Sequence, residues 1–130
     1  MENKKLSIAI VDDSEIIRER LVHKLNKCEN FQIIWQAENA ENTYCCYNKS
    51  APSVLILDIQ LPDGSGIDIL ERIKTENPLT KVIMLTNYPS LPFRNKCIKA
   101  GADYFFDKST EFEKVFEVLK ELVQKEQIKN

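Results

Sequence analysis

The chain has 130 residues, 43% hydrophobic and 29% charged, which fits one soluble domain able to bury a core without disulfide or metal staples. With 18 basic against 20 acidic residues the formal net charge is −2, so neither direct nucleic-acid binding nor attraction to an anionic membrane is expected. No basic-then-apolar segment opens the chain, and no apolar run approaches the roughly 18 residues of a membrane helix, so a cytoplasmic protein without membrane contact is expected.

In chain order the first strand is predicted at Leu6–Val11 and ends in Asp12-Asp13. Ile16, Ile17, Leu21 and Leu25 then form the apolar stripe of a first helix, with Arg18, Glu19 and Lys24 off that face. His23, the one histidine, reads as an exposed helical residue. A second strand is expected at Phe31–Ala37 and a short second helix at Ala40–Lys49. The third strand, Ser53–Leu57, ends in Asp58. The third helix follows Ser65, with Asp68 approximating a capping box, and stops by Asn77 because Pro78 follows. A fourth strand at Lys81–Leu85 is closed by Thr86. The fourth helix, Ser90–Ala100, stops at Gly101. A fifth strand at Asp103–Phe106 leads to Lys108. The last helix starts at Ser109 or Thr110 with a Thr110-x-x-Glu113 capping box, and Phe112, Val115, Phe116, Leu119 and Val123 make its stripe. Residues 1–130 thus read as a single domain with its core at about 6–124 and a solvated tail at 125–130. Cys28, Cys45, Cys46 and Cys97 lack C-x-x-C spacing, so reduced, partly buried thiols are expected rather than a zinc site.

Strands 1, 3 and 4 are apolar on both faces, as central parallel strands covered by helices are. Five βα units with right-handed crossovers favour a doubly wound five-stranded α/β sheet. In the order 2-1-3-4-5, strands 1 and 3 are neighbours at the point where the winding reverses, and ligands bind there, at the carboxyl edge. Asp12, Asp13 and Asp58 would meet at that edge, and three carboxylates so close need a cation or a proton. A small set of hard oxygen ligands suits Mg²⁺. Lys108 and Thr86 would add an ammonium and a hydroxyl. Taken singly, Asp13-Ser14 reads as a helix cap, Asp58 as a turn residue, Lys108 as a solvated lysine and Thr86 as a strand-end threonine. Together at four strand ends on one edge, they read as a phosphoryl site with Asp58 as the nucleophile that becomes an acyl phosphate.

Val11-Asp12-Asp13-Ser14, Leu57-Asp58-Ile59-Gln60-Leu61-Pro62-Asp63-Gly64-Ser65-Gly66, Leu85-Thr86, and Ala100-Gly101-Ala102-Asp103-Tyr104 leading to Lys108 resemble the receiver domain of two-component response regulators. The resemblance runs from Ile8 to Leu122. It implies a flavodoxin-like fold and a phosphoacceptor at Asp58, charged by a sensor histidine kinase or a phosphotransfer protein. It also implies Mg²⁺ held directly by Asp13, Asp58 and the backbone carbonyl of Gln60, with Asp12 acting mostly through water. Thr86 matches the switch hydroxyl, Lys108 its lysine partner, and Phe105 the rotating aromatic of the family. Asn87 replaces a small residue, while Gln60 and Tyr88 take the variable positions that tune dephosphorylation. Ser109 stands where proline is frequent, which argues against a cis peptide bond there.

The implied protein is a phosphoacceptor switch, not an enzyme in its own right, although it takes part in its own phosphotransfer and dephosphorylation. Its expected output is a population shift on the helix 4–strand 5–helix 5 face. That face carries Arg94, Lys96, Lys99, Asp103, Glu111, Lys114 and Glu117, and reads equally as a solvated surface or as a surface for a downstream effector or a second copy. An FMN binder would need a Ser/Thr/Gly-rich loop where Asp12-Asp13 stand. A haloacid-dehalogenase-type phosphatase would need an acid where Gln60 stands. Two further alternatives are an interaction module not regulated by phosphate, and the N-terminal part of a larger DNA-binding regulator.

Overall fold

The computed structural model describes residues 5–128. Five parallel strands, β1 (Leu6–Val11), β2 (Phe31–Ala37), β3 (Val54–Leu57), β4 (Lys81–Thr86) and β5 (Tyr104–Asp107), alternate with helices α1 (Glu15–Leu25), α2 (Ala40–Lys49), α3 (Gly66–Glu76), α4 (Leu91–Lys99) and α5 (Phe112–Ile128). The sheet order is β2-β1-β3-β4-β5, the expected doubly wound arrangement.

Alternation along the strands explains the two cores. In β1, Ile8 and Ile10 pack with Leu21 and Leu25 of α1 and with Val115 and Leu119 of α5. Ala9 and Val11 point the other way, toward Tyr47, Ile69, Leu70 and Cys97 of α2, α3 and α4. β1 and β3 end level, since Ile8 pairs with Val54 and Val11 with Leu57. That register puts the residues after both strands side by side.

Several sequence expectations need correcting. Ile16 is 69% exposed, because it shares a helical row with Arg20 and Lys24, while Ile17, Leu21 and Leu25 form the inward row. α5 starts at Phe112 and the Thr110 box does not form. The Glu113 carboxylate that would close the box pairs with Lys24, and Asp107 shapes the turn before the helix, its carboxylate accepting from Ser109 N (2.9 Å) and its carbonyl from Glu111 N (2.8 Å). Asp103 does not belong to the α4–β5–α5 face. Its carboxylate pairs with Lys74 at 2.7 Å and accepts from Val82 N at 2.8 Å. Helix α5 runs through Ile128, and residues 129–130 lie outside the described residues. The sequence reading lacked one element, a two-residue antiparallel ladder that pairs Gln60–Leu61 with Gly64–Ser65. Among the described residues no peptide bond is cis.

Candidate functional site

β1 and β3 carry Asp12 and Asp58 into the same crevice. Backbone bonds fix both: Asp12 N donates to Ala37 O (3.1 Å) and Asp58 N to Val11 O (3.0 Å). Asp12 Oδ1 accepts from Ser14 N (2.8 Å), and Ser14 caps α1 by accepting from Ile17 N. Asp58 Oδ1 accepts from Ile59 N at 2.7 Å. The remaining oxygens converge on Lys108, whose Nζ lies 2.6 Å from Asp12 Oδ2 and 2.9 Å from Asp58 Oδ2. Lys108 reaches them because its own N–H donates to Thr86 O (2.9 Å), which ties the end of β5 to the end of β4.

Asp12, Asp58, Thr86 and Lys108 are buried, whereas Asp13 is exposed at the mouth. Oxygens of Asp12, Asp13 and Asp58 lie within 4.8 Å of one another. Burial pushes the Asp58 carboxyl above its ordinary value; the Lys108 hydrogen bond and charge oppose that, and the like charge of Asp12 adds to it. For Lys108, burial works against the ammonium. The hydrogen bonds and charges of Asp12 and Asp58 outweigh it and raise its pKa. The two shifts differ in cause: burial leads for Asp58, while for Lys108 two carboxylates sharing a single ammonium prevail over burial. The site thus keeps unbalanced negative charge, with an exposed third carboxylate beside it. That donor set fits a hard divalent cation such as Mg²⁺.

The surrounding residues divide by exposure. Thr86 is fully buried, and its Oγ1 accepts from Tyr88 N at 3.0 Å. Gln60, Asn87 and Tyr88 are exposed around the mouth. Phe105 is buried in the α2–α3–α4 core, with the Arg94 guanidinium 5.8 Å above its ring. The loop after Asp58 is folded tightly on itself, since Gly66 N donates to Ile59 O at 2.6 Å. A Cβ on Gly66 would stand 1.9 Å from the Asp58 carbonyl oxygen, so this close approach requires glycine.

Two contributors escaped the sequence reading. Arg18 Nη1 donates to Asp12 O at 2.6 Å; its place four residues after Ser14 was the available signal. Asp63 binds the start of α2, accepting from Ala40 N (2.7 Å) and Glu41 N (3.0 Å). No spacing rule pairs residues so far apart. A cleft of about 610 Å³ opens at the opposite end of the strands, between Leu6, Leu79, Tyr104 and Leu122, and holds none of the acid-cluster residues.

The model of the response regulator receiver domain matches residues 8–120. The chain is 30% identical over 114 residues to the chemotaxis protein CheY of Listeria monocytogenes, covering 88% of this chain and 95% of that protein. It is 34% identical over 108 residues to a cyclic di-GMP phosphodiesterase of Thermotoga maritima, covering 83% of this chain but 28% of that protein. It spans 48% to 59% of four other curated relatives. A CheY-like receiver domain protein from Methanospirillum hungatei JF-1 has a similar structure, with TM-score 0.86 and 27% identity, covering 98% of this chain and 100% of that one. The family match begins inside β1 and ends inside α5, and the chain belongs to the response regulator receiver domain family.

Proposed function

We propose that this chain is a phosphoacceptor switch in which Asp58 takes a phosphoryl group from a histidine kinase or phosphotransfer protein. The Asp58 carboxylate attacks phosphorus, the P–N bond of the donor phosphohistidine breaks, and its electron pair returns to the imidazole. The observation that carries this reading is the Lys108 ammonium held between Asp12 and Asp58, with Asp13 beside them. Asp13, Asp58 and the Gln60 carbonyl would hold Mg²⁺, with Asp12 acting mostly through water. The cation would neutralise charge on the phosphoryl oxygens. Lys108 would pair with one phosphoryl oxygen once the acid charge is shared. The Thr86 hydroxyl would bond another, and turning toward it would release Tyr88 N.

The expected readout is a shift in α4 and the surface around it, read by a downstream effector or a second copy in the cytoplasm. Among the described residues no helix is long and apolar enough to cross a membrane. Because the chain spans about half of several relatives, a second reading makes it the receiver part of a larger DNA-binding regulator, with the same chemistry at Asp58. Incubation with Mg²⁺ and a small acyl-phosphate donor, followed by intact mass, tests the proposal. One phosphoryl adduct, absent in Asp58→Asn, is the expected result. No adduct at any Mg²⁺ concentration would favour an interaction module not regulated by phosphate.

A further inference from the structure

The first turn of α2 is capped twice, and one cap comes from the acceptor loop. Asn39, the local N-cap, accepts from Asn42 N at 2.8 Å. That leaves the N–H groups of Ala40 and Glu41, and Asp63 takes both, one with each carboxylate oxygen. Asp63 lies three residues beyond Gln60, in the loop that returns to the Asp58 backbone at Gly66. The loop's other backbone hydrogen bonds are internal, a two-residue ladder and the Gly66 N to Ile59 O bond, while Ile59 and Leu61 are buried in the core on that face of the sheet. A ladder that short holds little by itself. The Asp63 carboxylate adds the polar tie, hydrogen-bonding the loop to a separate element.

The same stretch of chain also holds the other wall of the crevice. Ala37, three residues before Ala40, accepts the backbone bond from Asp12 N. A closed brace results, running from Asp12 through Ala37 to Ala40, across to Asp63, and back along the loop to Asp58. Its two arms end at Asp12 and Asp13 after β1 and at Asp58 and the Gln60 carbonyl after β3.

We infer that Asp63 is a positioning residue for the cation site, clipping the acceptor loop to the start of α2 so that the Gln60 carbonyl and the Asp58 carboxylate stand at a fixed distance from Asp12 and Asp13. The inference rests on the cation-binding reading proposed above. Groups that orient metal ligands from behind change metal affinity by roughly 10- to 100-fold when removed. Asp63 touches no ligand side chain, so about tenfold is expected.

The test compares Mg²⁺ affinity, measured by titration calorimetry, for the wild-type protein, Asp63→Ala, Asp63→Asn and Asn39→Ala. The Asp63 and Asn39 substitutions each remove a cap from the same turn, and Ala at either position lowers the thermal midpoint. Only Asp63→Ala weakens Mg²⁺ binding, and Asp63→Asn, which keeps one uncharged acceptor, falls between it and the wild type. Equal affinity in Asp63→Ala and wild type overturns the inference. So does equal weakening in Asn39→Ala, because the effect would then come from α2 stability alone. Should Asp63→Ala fail to fold, Asp63→Asn decides by the same criterion. A wild type that binds no Mg²⁺, or an Asp58→Asn variant that binds it equally well, overturns the underlying site reading and this inference with it.

Discussion

Asp58 is a costly residue in a state without a bound cation. Its carboxyl is buried, and it shares one ammonium with Asp12. An acid whose pKa is raised by folding holds its proton more tightly when folded, so its ionised form opposes folding. The penalty grows as pH rises from the ordinary carboxylate range through the raised value, and vanishes in acid, where both states are protonated. Asp58→Asn without Mg²⁺ should therefore raise stability by about 1 kcal/mol at neutral pH. Denaturant midpoints of the two proteins should converge in mild acid; a gap that widens there would contradict the argument. Lys108→Ala should do the reverse and cost about 3 kcal/mol, since it strands two buried carboxylates. The residues of this cluster were legible in the sequence because each ends a strand or directly follows one, where an acid, a hydroxyl or a lysine is conspicuous after an aliphatic run. Asp63 was not, because it acts on backbone groups far away in the chain, and such a partner leaves no mark on side-chain patterning; Arg18, which also binds a backbone carbonyl, had only its place after Ser14 to mark it.

The loops after β3 and β4 set how the strand-end groups can be used. At Gly66 a methyl group would collide with the Asp58 carbonyl oxygen, and neither backbone can give way without moving Asp58. Gly66→Ala should cost about 2 kcal/mol and slow acyl-phosphate labelling of Asp58, both readable by thermal melts and timed intact mass. The loop after β4 offers the opposite case, a side chain open to change. Tyr88 is 48% exposed beside the mouth, and only its backbone N–H is tied to Thr86. A bulky ring there should shield an acyl phosphate from water, so Tyr88→Ala should lose phosphate faster. An unchanged half-life of the adduct would remove Tyr88 as a shield. Element positions were readable from periodicity, but the start of α5 was not. Thr110 and Glu113 have capping-box spacing, yet the Glu113 carboxylate pairs with Lys24, and Asp107 holds the preceding turn through the Ser109 and Glu111 N–H groups. Local competition of that kind decides helix ends, and a spacing rule does not register it.

Across the whole molecule, the sheet separates two cores, and α4 joins its core through little more than Cys97 and the half-buried Phe93. Its outer side leaves Leu91 and Ile98 66% and 49% exposed. Few buried contacts make an element the first to open, and the first to respond to a change at the site. Cys97 can report that opening. It is fully buried, and burial pushes its thiol up to about 11, so at neutral pH it presents almost no thiolate. Cys45 on α2 is exposed and free. A thiol-alkylating reagent followed by peptide mapping should therefore modify Cys45 first and Cys97 only through opening of α4. Phosphorylation that draws Thr86 away from Tyr88 N would loosen the loop that starts α4. Adding Mg²⁺ and an acyl-phosphate donor should then speed alkylation of Cys97 while leaving Cys45 unchanged. If mass spectrometry shows full phosphorylation and the Cys97 rate stays where it was, α4 is not the element that carries the signal, and the readout must be sought elsewhere on the surface.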